Sequence, residues 1–289
     1  FSIFMKINNY GLIIGAMKCG TTSLFDYLSQ HPEIAPCSQK EPHFFSKSTN
    51  YSLGYDYYQS LWNWNPQQHK IALEATPGYT KITHQDSASA AENIALVQSE
   101  QKVKFKFIYI MRHPLERIES HYVHEAAKSN RQHPHVVSKI EQRIIDTSKY
   151  ALQISEFYQW FSPDNILLLN FENLKSNPDE LLKKVCQFLE IDPEFTFNKT
   201  RTIHNSREQL RMAIPGWRNL RKTSPIQYIK KNISSQQKNV VKSLLGRKTN
   251  VDFQLDSQLK SDIIDELKPD LLKLCNEYRF DIQSWQLDL

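Results

Sequence analysis

Residues 10–30, YGLIIGAMKCGTTSLFDYLSQ, place a strand pattern, a glycine-bounded loop and a helix pattern in direct succession. Residues 10–16 form a near-continuous apolar run, which is typical of a strand buried on both faces of a parallel sheet. Leu24, Tyr27 and Leu28 then recur at the spacing of one helix face. The stretch predicts a strand–loop–helix unit with the loop at the carboxyl end of the strand.

The loop itself, residues 15–23 (GAMKCGTTS), has its glycines at the spacing of the Walker A pattern G-x-x-x-x-G-K-[ST]. Gly15 and Gly20 permit backbone conformations that other residues avoid. The loop N–H groups and the positive end of the following helix can then receive a phosphate. Hydroxyl groups add further donors at Thr21, Thr22 and Ser23. We call residues 15–23 the phosphate loop.

Two departures from the Walker A pattern argue against a magnesium-bound triphosphate. Thr21 stands where a nucleotide triphosphatase carries its lysine, and the lysine here is Lys18, inside the loop. The predicted strand at residues 104–111 is followed by Arg112, where such an enzyme has a metal-binding Asp. Arginine, lysine and hydroxyl groups can neutralise phosphates directly. We therefore expect a phosphate ligand and no metal, with a nucleotide kinase or ATPase carrying a degenerate loop as the alternative.

The rest of the chain alternates strand and helix patterns. Further strands are predicted at residues 70–75, 104–111 and 165–171, and helices at 86–99 (capped by Asp86), 114–128, 141–161, 178–189 and 256–276. This order predicts an α/β fold with a P-loop-type central parallel β-sheet and helices on both faces. We expect residues 1–289 to form a single domain.

Composition narrows the class further. The 289 residues are 40% hydrophobic with a net charge of +5, and no run approaches the ~18 apolar residues of a membrane span. No integral membrane segment is therefore expected. The N-terminal residues lack the cleavage pattern of a signal peptide, and the four cysteines are too far apart for a C-x-x-C pair, which favours the cytoplasm.

The positive charge is concentrated in residues 199–248, which hold thirteen Lys or Arg and one acidic residue, Glu208. We call this the basic segment and interpret it as a flap over an anionic ligand; a solvated helix face is the alternative. It lacks regularly spaced aromatic residues and any groove-reading motif, so a nucleic-acid partner is not expected. A non-catalytic polyanion-binding module remains a further alternative.

These motifs together resemble the sulfotransferases that use 3′-phosphoadenosine 5′-phosphosulfate (PAPS), closest to the heparan sulfate 3-O- and N-sulfotransferase branch and its bacterial relatives. The phosphate loop resembles their 5′-phosphosulfate loop, and residues 112–122 (RHPLERIESHY) resemble their 3′-phosphate segment. The resemblance covers roughly residues 12–207. It extends through KEPHFF (40–45), GYDYY (54–58), EATPGY (74–79) and FNKT (197–200).

The resemblance implies transfer of a sulfuryl group from PAPS to a hydroxyl or amine, with roles for particular residues. Lys18 would stabilise charge on the departing phosphate, and Arg112 and Ser120 would hold the 3′-phosphate. Glu41 would be the base with His43 as its orienting partner, or His43 the base instead; in an extended segment both would project to one side. Arg201 and Arg207 lie near the family's late phosphate-binding loop, although a Lys-Gly pair expected there is Arg201-Thr202.

Several interpretations stay open. Lys18 and Glu41 could be solvated surface residues, Arg112 a structural salt bridge, and Ser120 a helix residue bonding its own backbone. The aromatic residues between 51 and 64 could form core or line an acceptor site. Cys19 and Cys37 are interpreted as packing residues, with a lowered thiol pKa at the helix start as the alternative for Cys19. Ala75 replaces a lysine of the E-K-T-P-x-Y segment, which makes heparan-type acceptors less favoured than other carbohydrates, lipids or small molecules.

Overall fold

The central sheet has five parallel strands in a computed structural model that describes residues 6–82, 89–129, 136–198, 211–213, 246–248 and 254–287. The strands are β1 (Asn9–Gly15), β2 (Ile34–Pro36), β3 (Ile71–Ala75), β4 (Lys104–Met111) and, after a short β5 (Val136–Val137), β6 (Ile166–Asn170). Their spatial order is β2-β3-β1-β4-β6. The predicted fold class, a central parallel sheet flanked by helices, is confirmed.

The helices are α1 (Thr21–Leu28), α2 (Ser48–Tyr51), α3 (Gly54–Gln59), α4 (Ala90–Gln101), α5 (Pro114–Ser129), α6 (Gln142–Asp146), α7 (Tyr150–Trp160), α8 (Phe171–Ser176), α9 (Pro178–Leu189) and α10 (Ser257–Asn276). Two small pairs complete the elements: β7 (Arg211–Ala213) runs antiparallel to β8 (Gly246–Lys248), and β5 runs parallel to β9 (Gln254–Leu255). The long α10 packs against α7 and α5.

Strand order places the phosphate loop at the point where the sheet changes direction. From β1 the chain moves to one side, through β2 and β3, and then to the other side, through β4 and β6. Right-handed crossovers in opposite directions place the connecting helices on opposite faces. Ligands of open α/β sheets bind outside the carboxyl ends of the strands at such a switch point, and the phosphate loop leaves β1 there.

A stacked aromatic core fixes the register of β1. Tyr10 is opposite Ala72 of β3 and Phe105 of β4, and its ring stacks on Phe105 with centroids 5.0 Å apart. Tyr58 is fully buried and stacks on the Tyr10 ring, with centroids 5.5 Å apart. Trp62 is also buried, so these two residues of the aromatic stretch form core. Side-chain burial of this kind dominates the stability of a sheet that is covered on both faces.

Two helix predictions were wrong in detail, and one strand of the sheet was missed. Helix α4 begins at Ala90, where the Ser89 hydroxyl accepts from the Glu92 amide at 3.2 Å, and Asp86 lies outside the described residues. The helix predicted over residues 141–161 is divided into α6 and α7, because Asp270 of α10 caps the second helix by accepting from the amides of Ala151 and Leu152. The short β2 was not predicted, since three residues carry too little periodicity.

Candidate active site

Two glycines of the phosphate loop are required by their surroundings. Gly20 adopts φ +85°, and a Cβ there would lie 2.2 Å from the ring of Phe171. A Cβ on Gly15 would lie 2.4 Å from the ring of Tyr109 and 2.6 Å from the Thr80 hydroxyl. Any larger residue at either position would displace the loop. The left-handed conformation of Lys18, φ 71°, gives the same loop a second sharp turn.

The phosphate loop leads directly into α1, whose first turn has no side-chain cap within the described residues. Gly20 supplies no side-chain cap to α1, and the first turn of this eight-residue helix has no acidic residue. The N–H groups of that turn lack partners within the helix, and the helix dipole adds partial positive charge. Thr21 and Ser23 are buried there, while the half-buried Thr22 hydroxyl makes no hydrogen bond within the described ranges. This geometry is suited to an anion.

Cys19 of the phosphate loop, interpreted from the sequence as a packing residue with a reactive thiol as the alternative, is fully buried. Burial raises the pKa of its thiol to about 11, although Arg117 and Tyr150 oppose that rise. Burial likewise raises the pKa of Cys37 to about 12. Both thiols stay protonated at neutral pH, which agrees with the interpretation as packing residues.

Arg112 lies beside the phosphate loop because Phe171 joins the two. Its guanidinium stands over the Phe171 ring at 5.3 Å from the centroid, and the same ring fills the space above Gly20. Lys175 stands over this ring too, at 4.9 Å. Arg112 pairs with Glu116, its Nε lying 2.9 Å from the carboxylate, and its hydrogen bond lowers the pKa of Glu116 although burial acts in the opposite direction.

Ser120 lies on the inner face of α5 together with a buried cation. Ser120 is 8% exposed, and its hydroxyl makes no hydrogen bond within the described part of the chain. Arg117, fully buried, donates to the Ser148 hydroxyl at 2.6 Å and to the Ile144 carbonyl. Its remaining close partner is His121, at 3.3 Å. No carboxylate pairs with Arg117 among the described residues, although Glu125 of the same helix lies 3.8 Å from His121.

Lys18 lies near enough to His121 of α5 to affect the pKa of that imidazole. Burial lowers the pKa of His121 to about 3, and the nearby cations Arg117, Arg143, His124 and Lys18 lower it further. His121 is therefore neutral at physiological pH. An anion bound at the phosphate loop would therefore meet Lys18 in the neighbourhood of α5.

Glu41 and His43 approach each other, but not through an extended backbone. Both residues adopt left-handed conformations, with φ 53° and 51°, so the expectation of an extended segment was wrong. The two side chains still meet: His43 Nε2 lies 3.8 Å from Glu41 Oε2, while Nδ1 lies 3.3 Å from the Ser46 hydroxyl. Burial, together with Lys47, lowers the pKa of His43, and Glu41 opposes that shift. The neutral imidazole is therefore more favoured here than in an ordinary histidine.

A tight turn after β3 brings this pair to the phosphate loop. A Cβ on Gly78 would lie 3.0 Å from His43 Cε1, so the imidazole packs directly on the glycine. The same turn is tied to the end of β1 by the Thr76 amide, 3.0 Å from the Ile13 carbonyl, and by the Thr80 hydroxyl, 3.2 Å from the Ile14 carbonyl. Glu41 and His43 are therefore placed near the phosphate loop, because His43 packs on Gly78 in the turn that is bonded to the end of β1.

Glu74 supports this arrangement from the core, a role that the sequence did not indicate. It is fully buried and accepts three hydrogen bonds of 2.6 Å, from the hydroxyls of Tyr58, Thr76 and Tyr79. Burial raises the pKa of Glu74, and the three hydroxyls oppose that rise. The available sequence signal was the position of Glu74 between Leu73 and Ala75, inside a predicted strand.

Arg201 and Arg207 lie outside the described residues, and so does most of the basic segment. Its two described pieces, β7 and β8, pair with Arg211 opposite Lys248, and β7 lies against α5. Among the described residues no group of three or more His, Cys, Asp or Glu could hold a metal ion. Nor is any described helix long and apolar enough to cross a membrane.

Comparisons with known proteins match this architecture. A family model described as "Sulfotransferase domain" matches residues 10–250. The chain is 29% identical over 209 residues to heparan sulfate glucosamine 3-O-sulfotransferase 3A1 of Mus musculus, covering 66% of this chain and 49% of that protein. It is 26% identical over 207 residues to bifunctional heparan sulfate N-deacetylase/N-sulfotransferase 1 of Caenorhabditis elegans, covering 64% of this chain and 22% of that one.

A solved structure gives the same fold over a whole chain. The sulfotransferase from Alicyclobacillus acidocaldarius superposes with a TM-score of 0.63 at 19% identity, covering 98% of this chain and 100% of that one. The chain spans about half or less of the two animal relatives, so the similarity there concerns one part of each. Because the family model covers most of the sequence, from β1 to the basic segment, the chain belongs to the sulfotransferase domain family.

Proposed function

We propose that the protein transfers a sulfuryl group from PAPS to a hydroxyl or amine of an acceptor. The observation that carries this proposal is the uncapped, acid-free start of α1, with Lys18 in the loop before it and Arg112 beside it over the Phe171 ring. A 5′-phosphosulfate suits the loop, and a 3′-phosphate suits Arg112 and Ser120, whose hydroxyl makes no hydrogen bond in the described part of the chain. Arginine matches phosphate in a two-pronged geometry.

The reaction proceeds by in-line attack. The acceptor oxygen or nitrogen attacks sulfur as the bond between sulfur and the bridging oxygen of the 5′-phosphate breaks, and Glu41 takes the acceptor proton. Lys18 stabilises the charge that develops on the leaving phosphate, which departs as adenosine 3′,5′-bisphosphate. His43 orients Glu41 from 3.8 Å; the alternative, with His43 as base, is open to a neutral imidazole whose pKa is lowered by burial.

The nearest rival is a nucleotide kinase or ATPase. It predicts stabilisation by ATP that requires magnesium, whereas our proposal predicts stabilisation by adenosine 3′,5′-bisphosphate with or without magnesium. At a hundredfold excess over Kd a ligand stabilises the fold by about 2.7 kcal/mol, which a thermal-shift measurement detects. A preference for Mg-ATP would exclude the sulfotransferase assignment. The absence of a metal requirement stays a prediction until this panel is measured.

Replacing the two reacting groups tests catalysis against a passive polyanion-binding module. Lys18→Ala should lower kcat about 100- to 1000-fold, the loss seen when one preorganised donor is removed. Glu41→Gln should lower kcat about 100- to 10,000-fold while leaving adenosine 3′,5′-bisphosphate binding intact. His43→Gln separates the two base assignments, because an orienting partner should cost less than the base. Unchanged sulfation in both Lys18→Ala and Glu41→Gln would remove the catalytic assignment.

The acceptor is proposed only by class, as a carbohydrate, lipid or small molecule that carries a hydroxyl or amine. The two curated relatives are named for heparan sulfate, but Ala75 takes the place of a lysine expected in that branch. Transfer of radiolabelled sulfate from PAPS to fractionated cell extract would identify the acceptor. A single-domain organisation and a cytoplasmic location, the latter expected from the four cysteines, which are free thiols here, remain predictions.

A further inference from the structure

A cleft of about 790 Å³ opens at the amino ends of the sheet strands, at the end of the sheet opposite the phosphate loop. Its walls include residues at the amino ends of three neighbouring strands: Asn8 and Asn9 at β1, Lys70 at β3, and Lys104 at β4. The phosphate loop leaves the carboxyl end of β1, and a seven-residue strand is roughly 20 Å long. We call this space the amino-edge cleft; it is separate from the proposed active site.

The amino-edge cleft is positively charged. Four lysines line it, Lys6, Lys70, Lys104 and Lys106, and Glu190 is the only carboxylate among its lining residues. Lys106 lies 2.7 Å from Glu190 and 2.6 Å from the Phe188 carbonyl, so it neutralises the negative end of α9 where that helix reaches the cleft. Lys70 pairs with Glu33.

Two of the four lysines form no ion pair with any described residue, although the pKa of Glu190 is lowered by the closer Lys106 and also by Lys104. Lys6 donates to the Gln101 carbonyl at 2.7 Å, and neither Lys6 nor Lys104 forms an ion pair within the described ranges. Both residues are exposed. An anion entering the cleft would therefore meet two exposed ammonium groups, of which Lys104 lies near Glu190 and Lys6 is held by a carbonyl.

The remaining wall is polar and aromatic. Amide side chains are contributed by Asn8, Asn9 and Gln98, and Trp64 lies beside His69 with ring centroids 5.6 Å apart. The Trp64 indole N–H is buried and has no acceptor in the part of the chain that the structure describes. Because this N–H is closed to the cleft, a ligand there would meet the indole ring and not its N–H. Amides match hydroxyl groups, and an indole matches the face of a ring.

We propose that the amino-edge cleft binds a hydroxylated ring that carries several sulfate or phosphate esters. The volume is within the range of small-molecule sites. Lysine ammonium groups attract such esters as point charges, and the amides and indole serve the ring and its oxygens. The proposal does not depend on the identity of the transfer reaction, since the cleft shares no residue with the phosphate loop.

Calorimetric titration tests this with two probes, sucrose octasulfate and inositol hexakisphosphate, in the presence of saturating adenosine 3′,5′-bisphosphate to block the phosphate loop. Wild-type protein should bind at least one probe, and unsulfated sucrose should not compete. The preferred probe distinguishes sulfate from phosphate esters. The double variant Lys6→Glu/Lys104→Glu should bind about tenfold more weakly or worse, because each attraction becomes a repulsion.

The matched control reverses the same number of charges elsewhere, with Lys260→Glu/Lys268→Glu on α10, and should change affinity less than about twofold. Thermal shift by adenosine 3′,5′-bisphosphate should be equal in all three proteins. Equal weakening in both double variants would overturn the proposal, because it would show a general charge effect. Wild-type affinity in Lys6→Glu/Lys104→Glu would also overturn it and assign the binding to the basic segment.

Discussion

The phenol oxygen of Tyr79 lies 2.6 Å from the carboxylate of Glu74, and both residues are buried. The same phenol accepts from the Phe45 amide at 3.5 Å, two residues after His43. Tyr58, which also donates to Glu74, stacks on Phe44 with centroids 4.6 Å apart. A single buried carboxylate thus supports the segment that carries both candidate bases.

Glu74→Ala should lower the free energy of unfolding by about 3–5 kcal/mol, since it leaves three buried hydroxyls without their acceptor. Urea denaturation checks this, with the exposed Glu100→Ala as the control that should change little. At concentrations where the variant is folded, kcat should also fall because the segment of residues 40–45 loses its support. A loss below ~1 kcal/mol would contradict the role assigned to Glu74.

The pH dependence of Glu74 has a definite sign. Burial raises its folded pKa above the unfolded value of 4.5, so the folded protein retains this proton longer than the unfolded chain. Its contribution to stability is therefore full below pH 4.5 and declines as pH rises through the folded pKa. Glu74→Gln, which cannot ionise, should lose this decline in denaturation series at several pH values.

The contribution of His121 to stability should have the opposite pH dependence, because it is lost as the pH falls. Its folded pKa is about 3, against 6.5 for an ordinary histidine, because burial and neighbouring cations disfavour the charged ring. Stability is full above pH 6.5 and is lost as pH falls toward 3; at pH 5 the loss is about 2 kcal/mol. His121→Asn can still accept from Arg117, so it should remove this part of the acid sensitivity. Identical pH slopes for wild type and variant would refute it.

Gly20→Ala should weaken adenosine 3′,5′-bisphosphate binding and destabilise the protein by about 2–4 kcal/mol, because it combines a left-handed backbone with a clash against Phe171. Gly54→Ala is a matched control. Gly54 has a similar φ of +82° but nothing within 4 Å of the added methyl, so it should lose only the conformational cost of about 1–2 kcal/mol. Equal losses would show that the Phe171 contact is unimportant.

Phe171→Leu should raise the Kd for adenosine 3′,5′-bisphosphate about 3- to 10-fold, because the ring that supports Arg112 and Lys175 is lost while the apolar volume is kept. Phe188→Leu provides the comparison, since its ring lies under Lys106 at 5.4 Å near the opposite edge of the sheet. Direct titration of the ligand into both variants measures the difference. An equal effect of the two substitutions would argue against a specific role for Phe171.

Much of the fold was predictable because its signals are local. The apolar run of β1, the two glycines and the helix spacing after them lie within one short stretch, and each constrains the backbone by itself. Strand β4 and helix α9 have the predicted boundaries for the same reason. The phosphate loop and the arginine that follows β4 were accordingly recognisable from the sequence.

Contacts between distant parts of the chain could not be predicted from the sequence. Asp270 caps the start of α7 from 119 residues away. The Phe171 ring lies between Gly20 and Arg112. The imidazole of His43 packs against Gly78. Each depends on strand register and on how side chains fill the remaining space, which no local pattern encodes. The sequence alone determined that a glycine-bounded loop with a phosphate-binding pattern joins the first strand to the first helix. Only the tertiary structure decided which side chains surround it, because packing brings together residues that the chain keeps far apart.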